Sequence, residues 1–262
     1  MDAIIETLKE HDQFIITSHE HPDPDSLGSM IGLYFGMRQL GKTCRMVCSD
    51  PPPANLRWPG LELVEVLPKL EVSDNQWIIV LDCEPERTGA LAETILSSKK
   101  IINIDHHQGN KYRGPLTYVA SNEAATSVIV YRILKELGVS LDKNIATALY
   151  AGIVGDTGGF RYTNTSAETF TIAAELMEHD IPHADIARQI FASQPMEFMR
   201  FLGHVLTNLK SDLDGRLVWL EVSYDDFVRF GAEPSSSDQL IQYARMVDTS
   251  RIALLFRETK PG

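Results

Sequence analysis

Three short apolar runs in this chain each stop at acidic or imidazole side chains, and this constrains the fold more than any other feature. Phe14-Ile15-Ile16-Thr17 gives way to Ser18-His19-Glu20-His21-Pro22-Asp23-Pro24-Asp25. Trp77-Ile78-Ile79-Val80-Leu81 stops at Asp82, and Lys100-Ile101-Ile102-Asn103-Ile104 at Asp105-His106-His107. Apolar runs without polar alternation are what strands covered on both faces require. Cys44 to Cys48 reads as a further strand, and Pro51-Pro52-Pro53 as a turn or extended loop. Helical patterns fall at about 2–11, 26–40 (stopped by Gly41), 123–138 and 142–154. Strands alternating with helices predict an α/β fold with a doubly wound, mostly parallel sheet. Ligands bind such sheets at the carboxyl ends of the strands, and each polar cluster sits there.

A helical series fills roughly 166–211 and breaks near Asp180-Ile181-Pro182. The pattern then changes. Residues 216–222 alternate like a strand, 225–230 suit a short helix, and 252–257 form another strand. This reads as the start of a second, partial α/β domain.

The 262 residues carry a net charge of −12, and no basic stripe is visible. Proteins that clamp long nucleic acid need one to neutralise phosphates, so a long duplex is not an expected partner. Divalent cations held by clustered acids would make the site itself positive and able to attract a small phosphorylated ligand. No apolar stretch approaches the ~18 residues of a membrane span, and the first residues lack the basic-then-apolar character of a secretory signal. Cys44, Cys48 and Cys83 show no metal-binding or redox spacing and read as buried reduced thiols. A cytoplasmic protein without a membrane partner is expected.

In the first cluster, Asp23 and Asp25 lie two apart, so an extended segment would point both the same way. Crowded like charges are costly unless a cation neutralises them. The bland alternative is an acidic loop in which Asp25 or Ser26 caps the helix from 26 to 40. Asp82 alone suits a turn. In Asp105-His106-His107, one imidazole can face a metal while the Asp orients a ring. A fourth cluster, Gly155-Asp156-Thr157-Gly158-Gly159-Phe160-Arg161-Tyr162, follows a helix of small residues and leaves Asp156 available to a site. His19, Asp23, Asp25, Asp82, His106 and Asp156 together offer nitrogen and carboxylate donors without thiolate. That set favours manganese over structural zinc, and it is enough for two ions if one carboxylate bridges.

These motifs resemble the DHH phosphoesterase family. The matches are His19-x-x-Pro22-Asp23-x-Asp25-x-x-Gly28-Ser29, the strand-end Asp82, Asp105-His106-His107, and Gly155-Asp156-Thr157-Gly158-x-Phe160-Arg161-Tyr162-x-Asn164-Thr165, in family order. The compact layout is similar to the NrnA-type branch, which degrades very short oligoribonucleotides and dephosphorylates 3′-phosphoadenosine 5′-phosphate (pAp). The resemblance implies two divalent ions, manganese first with magnesium or cobalt as alternatives. It puts His19 and Asp23 on one, Asp25, His106 and Asp156 on the other, and Asp82 as the bridge. His107 would contact substrate phosphate and assist proton transfer, making His107 and Asp82 the catalytic pair. Ser29 and Arg161 would join His107 in binding substrate.

The resemblance also implies a DHH catalytic domain over 1–189, a linker helix over 190–212 and the start of a DHHA1-like domain over 213–262. The glycine-rich, His-ended stretch with which such domains bind nucleotide does not occur before Gly262, so that domain is expected to be truncated. A homodimer is left open. The expected activity is hydrolysis of short RNA or pAp by a two-metal-activated water. The alternatives are a phosphodiesterase for cyclic or linear dinucleotides, or an impaired nucleotide-binding module. An inorganic pyrophosphatase is disfavoured because Phe160-Arg161-Tyr162 is similar to the nucleotide-processing branch. A long-strand exonuclease is disfavoured by length and acidity.

Overall fold

The computed structural model describes residues 1–232, 237, 239–258 and 260. The chain divides into two compact units, Met1–Ala192 and Ser193–Gly262.

The first unit opens with helix α1 (Asp2–Glu10), strand β1 (Gln13–Thr17), helix α2 (Pro24–Gln39) and strand β2 (Thr43–Cys48). It continues with β3 (Val64–Val66), β4 (Trp77–Leu81), α3 (Ala92–Ser97), β5 (Ile101–Asp105) and β6 (Leu116–Val119). Helices α4 (Thr126–Glu136), α5 (Lys143–Asp156), α6 (Ala167–Met177) and α7 (His183–Phe191) complete it. All six strands are parallel, in the order β3-β2-β1-β4-β5-β6.

The apolar runs behave as strands covered on both faces. Phe14, Ile16, Ile79, Leu81, Ile102 and Ile104 face a large core that includes α2, α4 and α5. Their neighbours Ile15, Ile78, Val80 and Ile101 face a smaller one with Leu91 and Ile95. The connection reverses direction between β1 and β4, and the crevice at such a switch point is where an open parallel sheet binds ligands. The chain therefore brings the segments after β1, β4 and β5 side by side.

Three elements of this unit lie outside the sequence reading. The edge strands β3 and β6 are short and only partly buried, so neither leaves a long apolar run. The six residues of α3 are too few to show helical periodicity.

The first-cluster geometry also needs correction. Asp23, not Asp25 or Ser26, is the N-cap of α2, in a capping box with Ser26 and with Pro24 at the first helical position. Asp25 lies inside the first turn. The two carboxylates therefore do not point the same way, because the segment joining them is helical rather than extended.

In the second unit, α8 (Met196–Thr207), β7 (Lys210–Asp212), β8 (Leu217–Val222), α9 (Tyr224–Phe230), α10 (Ile241–Arg245) and β9 (Ile252–Arg257) follow in order. β8 pairs antiparallel with β7 and parallel with β9. Phe198, Phe201, Leu202 and Val205 of α8 share a core with Val218, Leu220, Val222 and Phe227. The helical series over 166–211 thus ends early, since Lys210 and Ser211 are strand residues bonded to β8. The span 190–212 expected as a linker covers the end of α7, α8 and β7. Of the span 213–262, residues 233–236, 238, 259, 261 and 262 lie outside the described residues.

Candidate metal centre

Side chains from four segments converge at the carboxyl edge of the first sheet. His19, Asp23 and Asp82 bring ligand atoms within 4.8 Å of one another, as do Asp25, His106 and Asp156, and likewise Asp82, His106 and His107. Asp82 belongs to two of these groups. It is 1% exposed and sits just beyond β4 with a positive φ of 65°, a left-handed conformation that Asp tolerates better than most residues and that turns its carboxylate back over the sheet edge. Its Oδ2 lies 3.7 Å from His19 Nε2, and its Oδ1 lies 3.6 Å from His106 Nε2.

Both imidazoles are oriented in the same way. His19 Nδ1 meets the Glu20 carbonyl at 2.7 Å, and His106 Nδ1 meets the Glu123 carbonyl at 3.1 Å. A carbonyl only accepts, so each Nδ1 carries the hydrogen and each Nε2 is free to present a lone pair. His106 Nε2 is buried without a hydrogen-bond partner. It faces Asp156 Oδ2 at 3.3 Å, Asp82 Oδ1 at 3.6 Å and Asp25 Oδ2 at 4.0 Å. His19 Nε2 faces Asp23 Oδ1 at 3.8 Å and Asp82 Oδ2. Lone pairs aimed at carboxylate oxygens in a buried site repel unless a cation or a proton lies between them. The donor set therefore fits divalent metal ions.

Electrostatics show what happens when protons take that place. Burial opposes charge on His19, yet the facing Asp23 and Asp82 carboxylates outweigh it and raise its pKa to about 10. Burial, reinforced by the Asp25 charge, raises Asp156 to about 7. Burial also raises Asp25, and burial together with the Asp25 charge raises Asp82. The metal-free site thus holds protons at neutral pH that a cation must displace. Affinity for manganese should accordingly rise from about pH 6, where Asp156 begins to ionise, towards about pH 10, where His19 loses its proton, with proton release on binding. Calorimetric titration in buffers of different ionisation enthalpy measures both quantities, and a pH-independent affinity without proton release would contradict the arrangement.

His107 stands apart. Its side chain is 46% exposed, and its Nδ1 lies 2.8 Å from Asp105 Oδ1. That hydrogen bond, with the nearby Asp82 charge, outweighs partial burial and raises His107 to about 9. Asp105 is fully buried and also accepts from the backbone amides of His106 and His107 and from Asn110.

Ser29, read from the sequence as a substrate contact, is fully buried behind the cluster. Its hydroxyl lies 3.5 Å from Asp25 Oδ1 and 3.0 Å from Ser127 Oγ. A group so placed supports Asp25 and cannot reach substrate. Arg161 is exposed, with Nε donating to the Gly158 carbonyl and its guanidinium 5.5 Å from the centre of the Phe191 ring.

Sequence reasoning missed the supports. Helix α4 has no side-chain cap of its own. Instead Asp25 accepts from the Thr126 and Ser127 amides at 2.7 and 3.0 Å, and a helix N-terminus stabilises that charge. Thr126 Oγ1 donates to Asp82 Oδ1 at 2.9 Å. Asn164 donates to the Ala124 and Asp156 carbonyls. Asn103 ties the Cys83 carbonyl, just past Asp82, to Asn110. Apart from Asn164, which falls within the fourth motif, these are short polar residues with no charge pattern, and only the long-range contacts reveal them.

The family model described as DHH family, N-terminal domain, matches residues 13–153. The chain belongs to the DHH family. Among relatives of this DHH-family chain, the bifunctional oligoribonuclease and PAP phosphatase NrnA of Thermus thermophilus is 32% identical over 265 residues, covering 100% of this chain and 78% of that protein. A probable manganese-dependent inorganic pyrophosphatase of Streptococcus mutans is 26% identical over 170 residues, covering 63% of this chain and 54% of that protein. The crystal structure of an exopolyphosphatase-related protein from Bacteroides fragilis shares the fold, with a TM-score of 0.90 at 24% identity over 98% of this chain and 79% of that one.

Proposed function

We propose that this chain hydrolyses phosphoester bonds in very short oligoribonucleotides and in pAp, at a centre of two divalent cations, manganese first. The carrying observation is the pair of oriented imidazoles, His19 and His106, whose Nε2 atoms face carboxylate oxygens and, in His106, no hydrogen-bond donor. The relationship to an oligoribonuclease and PAP phosphatase along the whole chain supports the substrate class. The similarity to a manganese-dependent pyrophosphatase supports the metal.

His19 and Asp23 would hold one ion, Asp25, His106 and Asp156 the other, and Asp82 both. Bound together, such ions supply positive charge to phosphoryl oxygens and acidify water. His107, a cation held by Asp105 and half open to solvent, would contact substrate phosphate and donate a proton to the leaving oxygen. Arg161, fixed by Gly158 and Phe191, would add a phosphate contact at the rim. Asp82 and His107 are thus the catalytic pair, and Ser29 leaves the substrate-binding set. We place the second unit as a DHHA1-like substrate domain. A catalytically impaired module is disfavoured, since six buried or half-buried ligand-type side chains are costly to keep together without a cation.

The test is one panel: purified chain with manganese against pAp, a two-nucleotide RNA, a cyclic dinucleotide and pyrophosphate. Turnover of pAp and the dinucleotide, abolished by chelator, is expected. Faster turnover of pyrophosphate or of the cyclic dinucleotide, or no turnover at all, would overturn the assignment.

A further inference from the structure

We infer that Thr126 is a positioning residue that sets the orientation of the shared carboxylate Asp82 and couples it to Asp25. The inference rests on the metal-centre reading above. Thr126 is fully buried, and its two donors go to ligand-type carboxylates delivered by different strands. Its amide donates to Asp25 Oδ2 at 2.7 Å, and its hydroxyl donates to Asp82 Oδ1 at 2.9 Å. A helical threonine ordinarily turns its hydroxyl back to a carbonyl of the preceding turn. Here the residue opens α4, so no such carbonyl competes for it.

The geometry makes this hydroxyl decisive for Asp82. A carboxylate on a short side chain rotates about its terminal torsion over a broad well. Among the described contacts, Thr126 is the only hydroxyl bonded to the Asp82 carboxylate. With Oδ1 held by Thr126 on the side of His106, Oδ2 is directed at His19. The two oxygens are thereby divided between the two donor groups. The Glu123 carbonyl, three residues earlier, orients His106, and the Ser127 amide holds the other oxygen of Asp25. The start of α4 thus sets the relative positions of three ligand-type side chains, and Thr126 is the member whose side chain can be changed without altering the backbone.

Thr126→Val keeps shape and backbone amide but removes the hydroxyl. Thr126→Ser keeps the hydroxyl. Manganese is titrated into wild type and both variants by calorimetry, and the spin coupling of the bound pair is read by electron paramagnetic resonance. Thr126→Val should weaken manganese binding ~10- to 100-fold, the usual cost of losing a group that orients a metal ligand, and should lose the coupled-pair signal. Thr126→Ser should retain both. Circular dichroism and melting without metal report whether Thr126→Val folds; if it does not, Thr126→Ala carries the same comparison. Wild-type affinity and coupling in the folded variant lacking the hydroxyl would overturn the inference. A wild-type chain that takes up no manganese would instead overturn the metal-centre reading itself.

Discussion

Replacing Asp82 by alanine should abolish hydrolysis more completely than replacing His107 by alanine. The carboxylate is 1% exposed and stands between the two imidazoles, with Oδ2 towards His19 and Oδ1 towards His106. Its removal takes a member at once from the group with His19 and Asp23 and from the group with His106 and His107. His107→Ala removes a half-exposed side chain whose proposed task is phosphate binding and proton transfer, an effect typically worth ~10²–10⁴-fold. Asp82→Ala should therefore exceed the upper end of that range, with a rate loss beyond about 10⁴-fold. Rates on pAp, measured with metal content determined on the same samples, separate the two variants. Equal residual rates at full metal occupancy would contradict the roles given to both residues.

The second large effect is structural and reaches the same centre. Helices α2 and α5 touch through Gly28 and Gly152. A β-carbon on Gly28 would collide with the Ala148 carbonyl oxygen and come within 2.9 Å of the Gly152 amide nitrogen. Alanine is the better helix former by up to ~1 kcal/mol, so propensity alone predicts that Gly28→Ala stabilises. Overpacking costs ~1–3 kcal/mol or more, and here the obstacle is backbone on a second helix, which cannot rotate away. The clash should win, with a net loss of about 2 kcal/mol or more. For a unit of this size that lowers Tm by about 4–8 °C.

Because α2 carries Asp25 and α5 ends at Asp156, separating the helices should also weaken manganese binding. Gly203 in α8, with nothing within 4 Å of its hypothetical β-carbon, provides the control: Gly203→Ala should hold or raise Tm. An unchanged Tm in Gly28→Ala would show that the two helices are not in obligate contact.

Much of this protein was legible in the amino-acid sequence because two signals are local. The strands β1, β4 and β5 are buried on both faces, so their residues must be apolar without alternation, and such runs end where the chain leaves the sheet. All the ligand-type residues but Asp156, which ends α5, follow those strands, because parallel topology places all carboxyl termini along one edge. The order of strands was not written locally, and neither were the edge strands β3 and β6, whose half-exposed residues tolerate mixed composition. Reading Asp23 and Asp25 as an extended pair went wrong because Pro24 suits an extended chain and the first turn of a helix equally well. Tertiary contacts chose the helix and sent the two carboxylates into different groups.

By itself, the sequence singled out the side chains that could meet a cation, because acids and imidazoles gather in a few short segments, most of them at strand ends. Only the tertiary structure decided how they are held. Thr126, Ser127, Asn103, Asn110 and Asn164 are uncharged and carry no periodic signal, and Ser29 looks from its motif like a substrate contact. Their hydrogen bonds join residues far apart along the chain, from Asp25 to Ser127 and from Ala124 to Asn164. Such a bond acquires its meaning when the sheet has closed and buried both partners, because burial is what makes an unmet donor or acceptor costly.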